Sequence, residues 1–187
     1  GNAAAAIAVA RSLGIEDRWI REGLAGFRGL PHRLDFVAIK RGVRYYNDSI
    51  ATVPDATIAA LDTLGPDVET LLLGGADRGL DFSALAQRIV ASAVKTVILF
   101  PPSGHRIWKD IAENNASGRE LPRHFVVKTM EEAVALAQQH TAKGRICLHS
   151  PASPSFGLFR DYRDRGEQFK RLVRDSAAGG REHGPAS

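Results

Sequence analysis

The chain has little of the chemistry that sulfur supplies. Its 187 residues include one cysteine and one methionine. The single cysteine, Cys147, excludes an internal disulfide, and its neighbours Ile146 and Leu148 favour a small core residue over a nucleophile. The histidines are dispersed and form no HxH or HExxH pattern, and no CxxC pair exists, so we predict no metal site in this chain.

Long hydrophobic runs and blocks of one charge are also absent. The apolar runs at residues 3–10 and 96–100 are too short to cross a bilayer, and no basic region precedes the first. We therefore expect a cytoplasmic protein with no membrane partner. The net charge of +4 comes from scattered arginines without interleaved aromatic residues, which favours small anionic ligands over nucleic acid. Because the chain begins at Gly1 and its one methionine is Met130, we expect a piece of a longer protein.

The hydrophobic spacing of the first thirty residues predicts a helix pair. Residues 3–13 and 16–27 have helical composition, and Gly14 closes the first helix. The sequence Gly-Leu-Pro at residues 29–31 then interrupts the pattern. A domain boundary near residue 31 is therefore expected.

Strand and helix patterns alternate along the rest of the chain. The first two strands form a predicted β-hairpin at residues 34–39 and 43–46. The later predicted strands cover residues 69–73, 96–100, 124–127 and 145–149, and the predicted helices cover residues 54–64, 82–91, 104–113, 130–140 and 159–175. Continuously apolar strands between helices favour a parallel sheet covered on both faces. The predicted fold class is α/β, with a Rossmann-like, mostly parallel, six-stranded sheet that follows the helix pair.

The most informative polar segment, residues 46–55, lies between a predicted strand and a predicted helix. Asp48, Ser49 and Thr52 would lie at the strand end and the positive end of the helix, where an anionic or nucleotide ligand is favoured. Thr52 with Asp55 predicts a capping box at the helix start.

Two further loops follow predicted strands. Glycines at residues 74–79 permit close approach of a ligand, and Arg78 could pair with a carboxylate or phosphate, although a solvated arginine in a turn is an equal alternative. Residues 149–156 include three serines, for which helix capping is the ordinary explanation. Arg33, near the predicted boundary, is a surface arginine or a contact for phosphate or ribose. No P-loop and no GxSxG motif occurs in these loops.

Four separated motifs, in this order and spacing, resemble the C-terminal part of the Mur ligase family, and its glutamate-adding members in particular. The motifs are Gly29-Leu30-Pro31-His32-Arg33, Asn47-Asp48-Ser49 with Ala51-Thr52, Gly74-Gly75 with Arg78, and Ser150-Pro151-Ala152 through Phe159 with Arg165-Gly166. The resemblance covers residues 1–175. It implies that residues 1–30 end a central ATP-binding domain and that residues 31–176 form the C-terminal Rossmann-like domain. Residues 177–187 lack apolar periodicity and are predicted to be a flexible tail.

The resemblance also implies an activity and its site residues. Family members use ATP and Mg²⁺ to join glutamate to UDP-N-acetylmuramoyl-L-alanine through an acyl phosphate, and most magnesium ligands would lie in the missing domains. By resemblance, the nucleotide would contact Asn2, Arg33 and Asp48. The incoming glutamate would contact Ser49, Thr52, Arg78, Ser155, Phe156 and Tyr162. No general base is identified, and this chain alone is expected to be inactive.

Two questions stay open at the level of sequence. The D-glutamate-adding members typically carry lysine where this chain has Ile50, and the loss of a cation changes how an α-carboxylate is held. L-glutamate and D-glutamate are therefore both candidates. The chain could instead be a non-catalytic Rossmann-like module that binds a nucleotide or an amino acid, since it has no P-loop.

Overall fold

The structure, a computed structural model, describes residues 2–115 and 118–175. It falls into two compact units that divide between Leu30 and Pro31. The predicted tail at residues 177–187 lies outside the described residues.

The first unit consists of two helices, α1 (Asn2–Ser12) and α2 (Asp17–Gly26). Gly14 lies between them with a φ of 74°, a left-handed conformation that glycine adopts without steric cost. Arg11 on α1 forms an ion pair of 2.9 Å with Asp17 at the start of α2.

The second unit is built on a six-stranded sheet. Its strands are β1 (Asp35–Lys40), β2 (Val43–Asn47), β3 (Val68–Gly74), β4 (Thr96–Phe100), β5 (Arg123–Val126) and β6 (Ile146–His149). Their order in space is β1-β2-β6-β3-β4-β5. The β1–β2 pair is antiparallel and every other pair is parallel, which confirms the predicted fold class.

Helices cover both faces of this sheet. They are α3 (Pro54–Leu64), α4 (Ser83–Val90), α5 (Ser103–Glu113), α6 (Met130–His140) and α7 (Tyr162–Asp175). Leu71 and Leu73 of β3 pack in one core cluster with residues of α3, α4 and α5, whereas Leu72 packs in a second cluster with residues of α6 and α7. Alternate side chains of β3 thus enter opposite cores, and all of this strand is buried. In the described ranges no helix combines the length and apolar character needed to span a membrane.

Two local predictions about helix starts are wrong. Val53, not Thr52, is the N-cap residue of α3, and no side chain caps this helix. Pro54 occupies the first turn, so Thr52 lies one position too early for a capping box. The last helix begins at Tyr162 instead of residue 159, because the Asp161 carboxylate accepts a hydrogen bond from the Asp164 backbone N–H at 2.8 Å and caps it there.

Candidate functional site

Three neighbouring strands end in polar loops at the same edge of the sheet. β6 lies between β2 and β3 and is parallel to both, so the loops after Asn47, His149 and Gly74 start side by side. The Asp48 N–H donates to the carbonyl of His149 at 2.8 Å, and the Gly74 N–H donates to that of Pro151 at 2.7 Å. We call the region formed by these three loops the strand-end site. Such an edge is where open α/β sheets bind ligands.

Asp48 places a fully buried carboxylate in this site. Its Oδ2 atom accepts a hydrogen bond from the Ser150 hydroxyl at 2.8 Å, and its Oδ1 atom accepts one from the Leu34 N–H at 3.2 Å. Arg33 lies 3.6 Å from Oδ1 and is nearly half exposed. Burial raises the pKa of the Asp48 carboxyl, and the contacts with Ser150, Leu34 and Arg33 oppose that rise. Arg33 therefore presents a partly solvated cation beside a carboxylate that is fixed in position.

The Arg165 side chain joins the loops after β2 and β6 by hydrogen bonds. This side chain of α7 has no exposed surface. Its guanidinium donates to the Ser49 hydroxyl at 3.0 Å, to the Ser49 carbonyl at 2.8 Å and to the Ser153 carbonyl at 3.1 Å. The Ser49 hydroxyl in turn donates to the Tyr162 carbonyl at 2.7 Å. Burial lowers the pKa of the Arg165 guanidinium to about 9, so it remains charged at neutral pH.

The third loop, after β3, presents Arg78. The Arg78 guanidinium lies over the half-exposed ring of Phe156, 5.4 Å from its centroid. Asp77 accepts hydrogen bonds from the Gly79 N–H at 2.8 Å and from Arg106 on α5 at 2.6 Å. Arg78 is thus an exposed cation next to an aromatic face, and its two neighbours in the chain, Asp77 and Gly79, are hydrogen-bonded to each other.

Glycine is required where this loop meets its neighbours. A Cβ atom on Gly74 would collide with the carbonyl oxygen of Phe100, and one on Gly75 with that of Pro154. Gly74 also has a φ of 97°, which strains any residue with a side chain. The Ala76 N–H donates to Pro154 at 2.8 Å, so the loops after β3 and β6 are in direct contact.

Eight of the nine predicted site residues lie in the second unit, on or beside these loops. They are Arg33, Asp48, Ser49, Thr52, Arg78, Ser155, Phe156 and Tyr162. Direct contacts join Arg33 to Asp48, Ser49 to Tyr162, and Arg78 to Phe156. The ninth, Asn2, is exposed at the start of α1 in the first unit. The roles of all nine in binding stay predictions.

Two buried polar residues of the site were missed as participants by sequence reasoning. Arg165 precedes Phe169 and Val173 by four and eight residues, so helical spacing alone places it on the buried face of α7. His149 ends β6 with no exposed surface, and neither of its ring nitrogens has a hydrogen-bond partner. Burial, helped by the charge of Arg165, lowers the pKa of His149 well below its ordinary value, so the ring is neutral. The only signal for His149 in the sequence is its position at the end of an apolar run.

No cluster of three or more histidine, cysteine, aspartate or glutamate side chains able to hold a metal ion occurs within residues 2–115 and 118–175. Cys147 is buried in β6, and burial raises the pKa of its thiol.

The fold defines an α/β protein of the Rossmann-like class, with polar loops gathered at the carboxyl ends of three neighbouring strands. Solved structures share this fold. E. coli FolC in complex with DHPP and ADP matches 94% of this chain and 39% of its own, with a TM-score of 0.63 and 17% identity. MurF ligase from Thermotoga maritima in complex with ADP matches 91% of this chain and 37% of its own, with a TM-score of 0.57 and 19% identity.

Sequence comparison specifies the family. Residues 32–153 match the family described as "Mur ligase, glutamate ligase domain", and the chain belongs to the Mur ligase family. It is 40% identical over 175 residues to UDP-N-acetylmuramoylalanine–D-glutamate ligase of Aquifex aeolicus, covering 92% of this chain and 40% of the relative. It is 38% identical over 181 residues to UDP-N-acetylmuramoyl-L-alanine–L-glutamate ligase of Salinispora tropica, covering 95% of this chain and 39% of the relative. The chain thus spans about two fifths of the length of these relatives.

Proposed function

We propose that this chain is the glutamate-binding part of an ATP-dependent ligase that joins glutamate to UDP-N-acetylmuramoyl-L-alanine. The observation that carries the proposal is the strand-end site, where three polar loops meet in a chain that matches the glutamate ligase domain. The names of its relatives supply the substrates. Membership of this family also favours an enzyme over the alternative of a non-catalytic binding module.

Glutamate presents two carboxylates and an amine, and the proposed pocket has groups for the carboxylates. Arg78 is exposed and can form a bidentate pair with one carboxylate. Thr52 and Ser155 have hydroxyl groups that can donate to an anion, whereas the hydroxyl proton of Ser49 is already donated to the Tyr162 carbonyl, so Ser49 shapes this part of the site. Phe156 and Tyr162 supply aromatic surface beside the aliphatic part of the substrate.

ATP would be held in part by Arg33 and Asp48. The partly exposed Arg33 suits a phosphate or a ribose hydroxyl, since Asp48 holds its position from a buried site. ATP supplies the phosphoryl group that activates the alanyl carboxylate and later leaves as inorganic phosphate. Most ligands of the magnesium ion are expected to come from parts of the enzyme outside this chain.

The proposed reaction has two steps. The alanyl carboxylate attacks the γ-phosphate of ATP, ADP leaves, and an acyl phosphate forms. The glutamate amine then attacks the acyl carbon, the amide bond forms, and inorganic phosphate and a proton leave. The part played by this chain is positioning and charge neutralisation, which can account for a large share of such a barrier. Since ATP and a UDP-linked precursor are intracellular compounds, we assign the reaction to the cytoplasm.

The test is a turnover assay of the full-length protein that carries this chain. ATP, magnesium and UDP-N-acetylmuramoyl-L-alanine are supplied with either L-glutamate or D-glutamate, and phosphate release and product mass are followed. We expect one equivalent of phosphate per amide product with one enantiomer, and none when the acceptor is omitted. Preference for L-glutamate would assign Ile50 to the stereochemical pocket. Absence of product with both enantiomers would contradict the proposed function.

A further inference from the structure

The loop that presents Arg78 is braced on both sides of that residue by one side chain from another element. Arg106 of α5 donates to the Asp77 carboxylate at 2.6 Å and to the Leu80 carbonyl at 2.9 Å. Asp77 immediately precedes Arg78, and Leu80 follows it by two residues. A single guanidinium thus fixes the entry and the exit of the turn that carries Arg78.

Two further contacts reinforce this brace. The Asp77 carboxylate also accepts the Gly79 N–H at 2.8 Å, which closes a tight turn around Arg78. The guanidinium of Arg106 lies 5.5 Å from the ring centroid of Phe82, so packing as well as charge holds it. The Gly79 N–H and the Arg106 guanidinium both lower the pKa of Asp77, which keeps the carboxylate charged at neutral pH.

The brace has a consequence for the free arginine. Arg78 is exposed, and the ring of Phe156 from the loop after β6 is the contact that orients its guanidinium. A long side chain in solvent samples many rotamers, and each one that binding removes costs free energy. Fixing the backbone on both sides of Arg78 removes the backbone part of the ordering cost, because the Cα–Cβ direction is set before the ligand arrives.

We propose that Asp77 and Arg106 are positioning residues that preorganise Arg78 for a carboxylate of the incoming glutamate. This inference rests on the proposed function and adds to it two residues that touch no substrate. Their ion pair is partly exposed, with side-chain exposures of 29% for Asp77 and 41% for Arg106, so the expected contribution lies in geometry more than in stability.

The test measures the KM for glutamate, the KM for ATP and kcat in the full-length protein. Arg106→Met should raise the glutamate KM about fivefold, with the other two constants within about twofold of wild type. Asp77→Asn retains an acceptor for the Gly79 N–H and should have a smaller effect in the same direction. The matched control is Arg88→Met, which removes a partly exposed ion pair of 2.7 Å between Arg88 of α4 and Asp62 of α3 and should leave the glutamate KM unchanged.

A double variant determines whether Arg106 acts through Arg78. Adding Arg106→Met to Arg78→Ala should leave the glutamate KM where Arg78→Ala alone has put it. Additive effects of the two changes, or an Arg106→Met variant that behaves like Arg88→Met, would overturn the inference while the function stands. An Arg78→Ala variant with a wild-type glutamate KM would instead refute the binding role of Arg78 itself. Thermal unfolding of each variant identifies any loss caused by misfolding.

Discussion

His149, at the end of β6, is a buried side chain whose protonation would affect the stability of the folded chain. Its two ring nitrogens are buried without hydrogen-bond partners, and its ring centroid lies 4.9 Å from that of Phe169. A buried polar group without a hydrogen bond is destabilising, and a charged imidazole there would be more so. The low pKa of His149 therefore predicts a measurable dependence of stability on pH.

We expect His149→Leu to stabilise the chain by about 1 kcal/mol at neutral pH, because two unpaired nitrogens are removed. At acidic pH the variant should gain further stability relative to the wild type. Below the ordinary pKa of 6.5 the unfolded chain binds a proton at His149 and the folded chain does not, so wild-type stability falls as the pH falls. Between pH of about 7.5 and about 5.5 the wild type should lose about 1 kcal/mol more than the variant. Urea unfolding at both pH values measures this difference.

The control for this experiment is His105→Leu, at an exposed position on α5. It should retain the pH dependence of the wild type. Equal pH dependence of stability in His149→Leu and the wild type would contradict a buried neutral imidazole.

Arg165 is the opposite case, because this buried charged side chain has hydrogen-bond partners. Its three hydrogen bonds join the loops after β2 and β6. We expect Arg165→Gln to lower the free energy of unfolding by about 3 kcal/mol, because carbonyls of both loops lose their donor inside the protein. Arg165→Lys should cost less, since it retains the charge and a donor. Urea unfolding compares both with Arg171→Gln, an exposed change on the same helix that should cost under about 0.5 kcal/mol. If Arg165→Gln and Arg171→Gln lowered the free energy of unfolding equally, the role of Arg165 in joining the two loops would be refuted.

At the scale of elements, the sequence predicted the fold more accurately than the ends of its helices. Predicted and observed bounds agree at Pro54–Leu64, Thr96–Phe100 and Met130–His140, because apolar periodicity and flanking turn residues coincide there. The start of α7 was misplaced since the capping side chain of Asp161 outweighs the apolar pattern that begins at residue 159. Loop contacts such as the tie by Arg165 depend on the sheet order, which local patterns do not contain.

The loop after β3 carries the sharpest prediction at this scale. Gly74→Ala should destabilise the chain by about 3 kcal/mol or more, since its Cβ meets the carbonyl of Phe100 and its φ is 97°. Gly144→Ala is the control, because Gly144 has a φ of 81° but no atom within 4 Å of the added Cβ. It should cost about 1 kcal/mol, from backbone strain alone. Thermal unfolding distinguishes the two, and equal losses would show that the collision is relieved at no cost.

At the scale of the whole molecule, the chain has a division between units at Leu30 and Pro31 and a site at the strand ends of the second unit. The family resemblance named eight residues around that site, but spacing along the chain could not distinguish a ligand contact from a solvated side chain. Arg78 illustrates this limit, because its neighbours hold it in position while its own guanidinium is exposed. Whether such residues bind glutamate is a question for the assembled enzyme.

We propose that the strand-end site has an amino-acid side, which includes Thr52, and a nucleotide side, which includes Arg33. The most direct measurement is the pair of KM values, for glutamate and for ATP, of Thr52→Val and Arg33→Ala in the full-length protein. We expect Thr52→Val to raise the glutamate KM about tenfold with little change in the ATP KM, and Arg33→Ala to do the reverse. Both side chains are at least partly accessible, so the folded structure should survive either change. If each variant changed both constants alike, or neither, the proposed division of the site would be wrong.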